Sequence, residues 1–306
     1  MSAPAGFVAV ETCWVCGSRS LAPVDVAPIE LDEYRRQDPD LAAYSGQRVV
    51  IQRCAACEFA QPALLPALPG FFDRLYDQRW SDEWVAGEHE ADYKDRIFGD
   101  VLDALARRVV RPGALLDVGA HAGRFLRLAR AAGWDAEGLE LNPKTGAYAA
   151  RASGAVVHRG NVHTFDPPRR YHAVTMIDVL EHVPDPVQVL ARVREYLAAG
   201  GWIAVKVPNG PAQRSKERLR ARLWPGYRPR LADNLVHVNH FSAASLAQAL
   251  DRAGFRDVHV EPAAPELPAG SRSRWLRLLA FHAARLAPRS AGSPICLNLQ
   301  AYARRG

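Results

Sequence analysis

Between residues 114 and 260 short apolar runs alternate with amphipathic stretches, and this rhythm restricts the fold more than any other feature of the chain. The runs Ala114–Val118, 136–140, 155–158, 173–177, 202–207 and one near 258–260 have the length and apolarity of buried strands. Between them, one helix over 124–132 closes on Gly133 and another opens at Asn142-Pro143. A third over 186–199 closes on Gly200-Gly201, and a fourth over 243–253 closes on Gly254. Strand-helix alternation of this kind predicts an α/β fold: a Rossmann-like, doubly wound, mostly parallel sheet. The run 295–302 alternates well enough to be a closing strand. Ile97-Phe98, Val101-Leu102 and Leu105 recur at helical spacing up to Val109-Val110, where Arg111-Pro-Gly stops the helix. The α/β domain therefore covers 96–306. Insertions at 210–236 and 262–293 interrupt its rhythm at strand ends, where loops shape sites.

Upstream of this domain the cysteines decide the reading. Four of the five form two C-x2-C pairs, Cys13/Cys16 and Cys54/Cys57, and Cys296 stands alone. Two such pairs without a secretory leader read as metal ligands before disulfides, so residues 1–65 are expected to be a small module stapled by structural Zn2+. Unligated thiols and a redox dithiol are the alternatives. Residues 66–95 form a connector whose aromatics, Phe71, Phe72, Tyr76, Trp80, Trp84 and Tyr93, suit either a core or a lid over a pocket. Residues 1–103 carry a net charge of about −9 and the remainder about +15, which suggests two modules in electrostatic contact. No apolar run is long enough to span a bilayer and the start lacks a basic n-region, so the expectation is a cytoplasmic protein.

The densest chemistry lies at 115–125, Leu-Leu-Asp-Val-Gly-Ala-His-Ala-Gly-Arg-Phe, a strand running into a glycine turn that opens a helix. Such a turn lets a ligand approach the backbone, and the helix start offers N–H donors. His121 stands where the middle glycine of G-x-G-x-G is usual. At the end of the next strand Glu140 is placed to accept hydrogen bonds from two ribose hydroxyls. Taken alone, these residues specify a nucleoside-bearing cofactor at a sheet edge.

Asp117-Val-Gly-x-x-x-Gly123, Glu140 with Asn142-Pro143, and Ile-Asp-Val-Leu-Glu-His-Val-Pro-Asp-Pro at 177–186 together resemble class I S-adenosylmethionine (SAM)-dependent methyltransferases. Within that class the ubiquinone-biosynthesis O-methyltransferases are the most similar subgroup, and the likeness runs through Pro208-Asn209 and 237–242 to about residue 261. A zinc module ahead of such a domain also resembles deoxysugar C-methyltransferases, although the large C-terminal domain of those enzymes is missing. The resemblance implies that Asp117 and the Gly119-Ala120 turn hold the methionine end of SAM and that Gly123 permits close approach; His121, within that turn among the cofactor candidates, departs from the family's glycine and could instead point at the methyl-transfer locus. It assigns the ribose to Glu140, the adenine to Leu141 and Asn161-Val162, and closure over the methionine portion to Asp178 and Val179.

Methyl transfer is an in-line displacement on an activated methyl group, so the protein chiefly aligns the acceptor and removes its proton. His182 is the first candidate base and His237 and His240 the next; capping or packing roles compete for all three, since Ser242 is placed to cap the following helix. The stretch 214–230 holds seven Lys/Arg and one acid, with Trp224 and Tyr227 interleaved. It suits a nucleic-acid backbone, an anionic small molecule or a solvated helix. The amphipathic run 275–286 suits a pocket cover, a dimer helix or membrane attachment. The reading is a biosynthetic methyltransferase acting on O or C of a natural-product or sugar-type small molecule. An RNA methyltransferase and a non-catalytic SAM-binding scaffold compete with it. Oligomeric state and acceptor are not legible.

Overall fold

A computed structural model of the protein describes residues 6–77, 82–109, 112–267, 274–286 and 296–306. Trp80 and Arg111, and parts of the second insertion, lie outside the described residues.

The N-terminal module has five short strands, β1 (Phe7–Ala9), β2 (Leu21–Pro28), β3 (Arg48–Cys54), β4 (Ala60–Pro62) and β5 (Leu64–Pro66), with the single-turn helix α1 (Pro39–Ala42) between β2 and β3. Strands β2, β3 and β4 form an antiparallel sheet, and β1 pairs with β5. The long gap between the cysteine pairs is thus a strand excursion out along β2 and back along β3, returning Cys54 to Leu21. Helices α2 (Phe71–Asp77), α3 (Asp82–Glu90) and α4 (Asp95–Ala106) lead into the main domain.

That domain alternates as its pattern requires: β6 (Ala114–Val118), α5 (Arg124–Ala131), β7 (Asp135–Glu140), α6 (Pro143–Ser153), β8 (Val156–Arg159), β9 (Tyr171–Ile177) and α7 (Pro186–Tyr196). There follow β10 (Leu197–Pro208), α8 (Gly210–Leu223), α9 (Ala243–Arg252), β11 (Phe255–Pro262), α10 (Arg274–Leu286) and β12 (Asn298–Arg305). The seven-stranded sheet has the order β11-β12-β10-β9-β6-β7-β8. Strands β6 to β10 run parallel, and β12 lies antiparallel between β10 and β11. From β6 the chain winds outward through β7 and β8, then crosses back to β9 on the other side of β6. The crevice between the carboxyl ends of β6 and β9 is the switch point where such sheets bind ligands.

Two boundaries differ from the sequence expectation. The third helix ends at Tyr196, and Gly200-Gly201 lies inside β10, where the register with β9 shifts between Leu197 and Trp202. Gly200 has φ +72, and a Cβ on Gly201 would meet the Ala198 and Tyr171 carbonyl oxygens at 3.0 and 3.1 Å. Those glycines make a bulge and not a helix stop, two tasks that ask the same of the backbone. The closing strand sits three residues further on than its pattern suggested.

One face of the sheet packs α4 and α5 through Phe98, Leu102 and Phe125. The other packs α7 and α9 together with Cys13, Val15, Cys54 and Phe59 of the module, in one continuous core. The junction expected to be electrostatic is mainly apolar, joined by an Arg228–Glu30 ion pair at 3.6 Å and a bond from Arg252 to the Val15 carbonyl at 3.0 Å. Among the described residues no helix is long and apolar enough to cross a membrane.

Candidate active site

The crevice opens into a cavity of about 440 Å³. Its floor is the turn after β6. Gly119 takes φ +75 there, and a Cβ would lie 2.4 Å from the Val179 side chain, so glycine is required on both counts. The Gly119 and Ala120 N–H groups both donate to the Leu139 carbonyl, which ties the turn to β7. His121 also takes a left-handed φ, +49, and its ring stands edge-on to Trp84 of α3 at 4.9 Å. The sequence left this residue unexplained; it carries the contact between turn and connector. Burial, and then the charge of Lys94, push its imidazole down to about 4.

Glu140, at the end of β7, accepts from the His121 N–H at 2.8 Å and the Asn142 N–H at 3.0 Å. Burial raises its carboxyl above the ordinary range despite those bonds. Asp117 is buried, accepts from Thr175 Oγ1 at 2.6 Å, and is pushed up to about 7, first by burial and then by Glu140. Leu141, Asn161, Val162, Asp178 and Val179 complete this end of the cavity, with Asn161 held by a bond to Asp73 at 2.8 Å. Gly123 is the exception among the residues singled out for the cofactor. It lies behind the cavity as the N-cap of α5 with φ +77, and a Cβ there would meet the Ala149 backbone at 2.8 Å. Its close approach is helix to helix.

The connector supplies the opposite wall. Phe72, Tyr76, Trp84 and Tyr93 line the cavity, whereas Phe71 is core against Tyr44. The segment is fastened over the turn by Arg124, which reaches Asp95 at 2.5 Å and the His89 carbonyl at 2.7 Å, and by His89 against the Ala122 carbonyl at 2.7 Å. Lys94 also lines the cavity and pairs with Asp178 at 2.8 Å. A second lysine, the fully buried Lys206 of β10, pairs with Asp178 from below. Burial resists the charge on Asp178, but the two ammonium groups hold its carboxyl well below the usual range. Neither lysine carries a motif, so sequence reading missed both.

Of the three histidines, the structure brings two together. The His182 ring lines the cavity and stands 4.9 Å from that of His237. Its Nδ1 lies 2.5 Å from the Val236 carbonyl oxygen and 2.6 Å from the Tyr76 hydroxyl. A carbonyl only accepts, so we assign the ring hydrogen to Nδ1 and the lone pair to Nε2. Glu181 is buried beside it, Oε1 being 4.0 Å from Nε2, and its Oε2 meets no hydrogen-bond partner among the described residues. Burial, reinforced by Asp178, pushes the Glu181 carboxyl up to about 8. His240 stands off the cavity, buried with its main chain paired to Ala60, and burial pushes its ring down to about 3. Ser242 caps α9 in a capping box as its type and position suggested.

Elsewhere, the four cysteines of the module converge. Cys13–Cys57 and Cys16–Cys54 sulfurs are each 3.5 Å apart, and all four lie within 4.8 Å of one another. Four thiolates at about 2.3 Å from a tetrahedral Zn2+ need nearly that spacing. In the basic stretch Arg214 is buried, Lys216 reaches Gln213 at 2.6 Å and Arg220 lies over Tyr227, while Arg218, Arg222 and Arg230 are exposed. Helix α10 anchors Phe281 against Ile97 and Ala264 and exposes Trp275, Leu276 and Leu279.

A parallel sheet with one antiparallel strand, and a glycine turn and an acid at its switch point, define an α/β fold of the methyltransferase type. The family model for a methyltransferase domain matches residues 89–260, more than half of the chain, and the chain belongs to that family. Trans-aconitate 2-methyltransferase of a Mycobacterium species is 29% identical over 137 residues, 43% of this chain and 53% of the relative. Ubiquinone biosynthesis O-methyltransferase of Nitrosomonas europaea is 28% identical over 148 residues, 45% of this chain and 58% of the relative. The chain thus spans about half the length of these curated relatives. The Burkholderia thailandensis 1,6-didemethyltoxoflavin-N1-methyltransferase, solved with 1,6-didemethyltoxoflavin and S-adenosylhomocysteine, shares the fold with a TM-score of 0.50 at 18% identity, over 84% of this chain and 95% of that one.

Proposed function

We propose that the chain transfers the methyl group of SAM to an oxygen or carbon of a small natural-product or sugar-type acceptor. One observation carries this reading: a single cavity has Glu140 and the glycine turn at one end and His182 with Tyr76 at the other. The residues fit the nucleoside. Glu140 accepts from the main-chain N–H groups of His121, Asn142 and Leu141, and its four lone pairs leave acceptor capacity for a ribose hydroxyl. Leu141 and Val162 offer apolar flanks for an adenine, and Asp117 lies at the methionine end. SAM, when bound, supplies a methyl group already activated as a sulfonium.

The chain's own residues then orient the acceptor and manage its proton. His182 would take that proton at Nε2, with Nδ1 locked on the Val236 carbonyl. His237 stands beside it to stabilise the ring's placement. Aromatic walls from the connector exclude water and suit a flat or sugar-like acceptor. A small-molecule acceptor accords with the substrates named in the relatives. The cysteine cluster would hold one structural Zn2+, four thiolates leaving no open position for catalysis.

Calorimetry with S-adenosylhomocysteine tests the cofactor site. Glu140→Ala should weaken binding at least ~tenfold, from the loss of charge-assisted ribose hydrogen bonds. Undetectable binding to the intact chain, or an affinity indifferent to Glu140→Ala, would refute the reading. With an acceptor in hand, His182→Ala should lower kcat by about a hundredfold.

A further inference from the structure

The acceptor end rests on a strap, residues 236–241, that is bonded to both halves of the molecule. On the catalytic side the Val238 and Asn239 N–H groups donate to the Glu181 carbonyl at 2.9 and 3.1 Å. Asn239 Nδ2 donates to the Leu180 and Val183 carbonyls at 2.6 and 2.7 Å, and the Val236 carbonyl takes His182. On the other side His240 exchanges two main-chain hydrogen bonds with Ala60 of β4, at 2.9 and 3.1 Å. The Phe241 ring lies 5.0 Å from that of Phe59.

Strand β4 is in turn fastened to the cysteine turns. Gln61 is fully buried; its Oε1 accepts from the Trp14 N–H at 2.9 Å and its Nε2 donates to the Thr12 carbonyl at 2.8 Å. Both ends of that amide therefore grip the turn that carries Cys13 and Cys16. On the second turn the Cys54 N–H donates to the Phe59 carbonyl at 2.8 Å. From cysteines to histidines the path consists of main-chain bonds and one buried amide, with no exposed rotor to absorb a displacement.

We infer that the cysteine-stapled module is the positioning device of the acceptor end: Gln61 and the Ala60–His240 bridge fix the strap, the strap fixes His182 and His237, and metal loading sets the geometry of all three. Glu140 and the glycine turn stand outside this path, held by β6, β7 and α5. Gln61 is thus a positioning residue, touching neither acceptor nor cofactor. The assignment rests on the proposed function for what the histidines do, but its geometry is testable without turnover.

The test compares three samples of the full chain: loaded with Zn2+, stripped by a chelator, and Gln61→Leu with its zinc content measured. Amide exchange should quicken at Val238, Asn239 and His240 by about tenfold or more in the last two. Re-adding Zn2+ to stripped protein should restore protection. S-adenosylhomocysteine affinity should stay within about twofold, while with an acceptor in hand kcat falls more than the acceptor KM rises. Unchanged strap protection in Gln61→Leu overturns the inference. So does a parallel loss of S-adenosylhomocysteine affinity, which would make the module a general brace. If stripping unfolds the chain, Gln61→Leu decides alone. Failure of the zinc-loaded chain to bind S-adenosylhomocysteine would strike the proposed function and leave the exchange result standing.

Discussion

Buried titratable side chains in and behind the cavity pull the protein's pH tolerance in opposite directions. Asp117, raised by burial to about 7, binds a proton more readily folded than unfolded. Its contribution is fully present below its unfolded value of 3.8 and is lost as pH rises through about 7. His121 and His240, lowered by burial to about 4 and about 3, act in the reverse sense. Their contributions are present above the ordinary 6.5 and fade as pH falls through those lower values. Asp117→Asn keeps an acceptor for Thr175 and removes the buried charge. It should raise stability at pH 8 by roughly 2–4 kcal/mol and leave it nearly unchanged at pH 4. Thermal melts at the two pH values check this; equal shifts at both would show that Asp117 carries no such penalty. Individual residues also mark the limit of sequence reading. Glu140 was legible because its place follows from one strand and one turn. Lys94 and Lys206 were not, because 112 positions separate them and only the closed fold sets both on Asp178.

At the scale of elements, the glycine turn and α5 depend on two glycines for different reasons. Gly119 must clear Val179 across the crevice, and Gly123 must clear the Ala149 backbone of α6. Gly123→Ala adds a Cβ 2.8 Å from main-chain atoms at φ +77, where neither strain nor overlap can relax cheaply. A loss of about 2–4 kcal/mol is expected in denaturant unfolding. Gly133→Ala is the control: φ is +88 but nothing lies within 4 Å, so its cost should be about 1 kcal/mol. Equal costs would mean that packing between α5 and α6 does not constrain Gly123. Strand and helix order was readable because each element's apolar period is local. The end of α7 was not, since a left-handed glycine serves a bulge as readily as a helix terminus, and only pairing with β9 distinguishes them.

At the scale of the whole molecule, the cysteine turns of the module share a buried cluster with the sheet, while its strands keep a cluster of their own. Phe59 of the module packs on Phe241, and Cys13, Cys54 and Cys57 share the cluster that includes Leu246 and Leu250. Calorimetric unfolding of zinc-loaded protein should therefore show a single transition. Phe59→Ala should lower the stability of the entire chain by about 3–5 kcal/mol. Two resolved transitions, with only the smaller one moved by Phe59→Ala, would separate the module from the sheet. By itself the sequence determined the alternating sheet, the turn from Asp117 to Gly123, the acid Glu140 beside that turn and the two cysteine pairs. Each is written in neighbouring residues, where period, turn chemistry and ligand spacing act over a few bonds. Only the tertiary structure decided that His182 and not His240 faces the cavity, that His121 meets Trp84, and that Gly123 serves a helix contact. It also joined the cysteine turns to the segment that holds His182. Those relations arise where elements distant in sequence are pressed together by burial, and no local pattern encodes which side chains then meet.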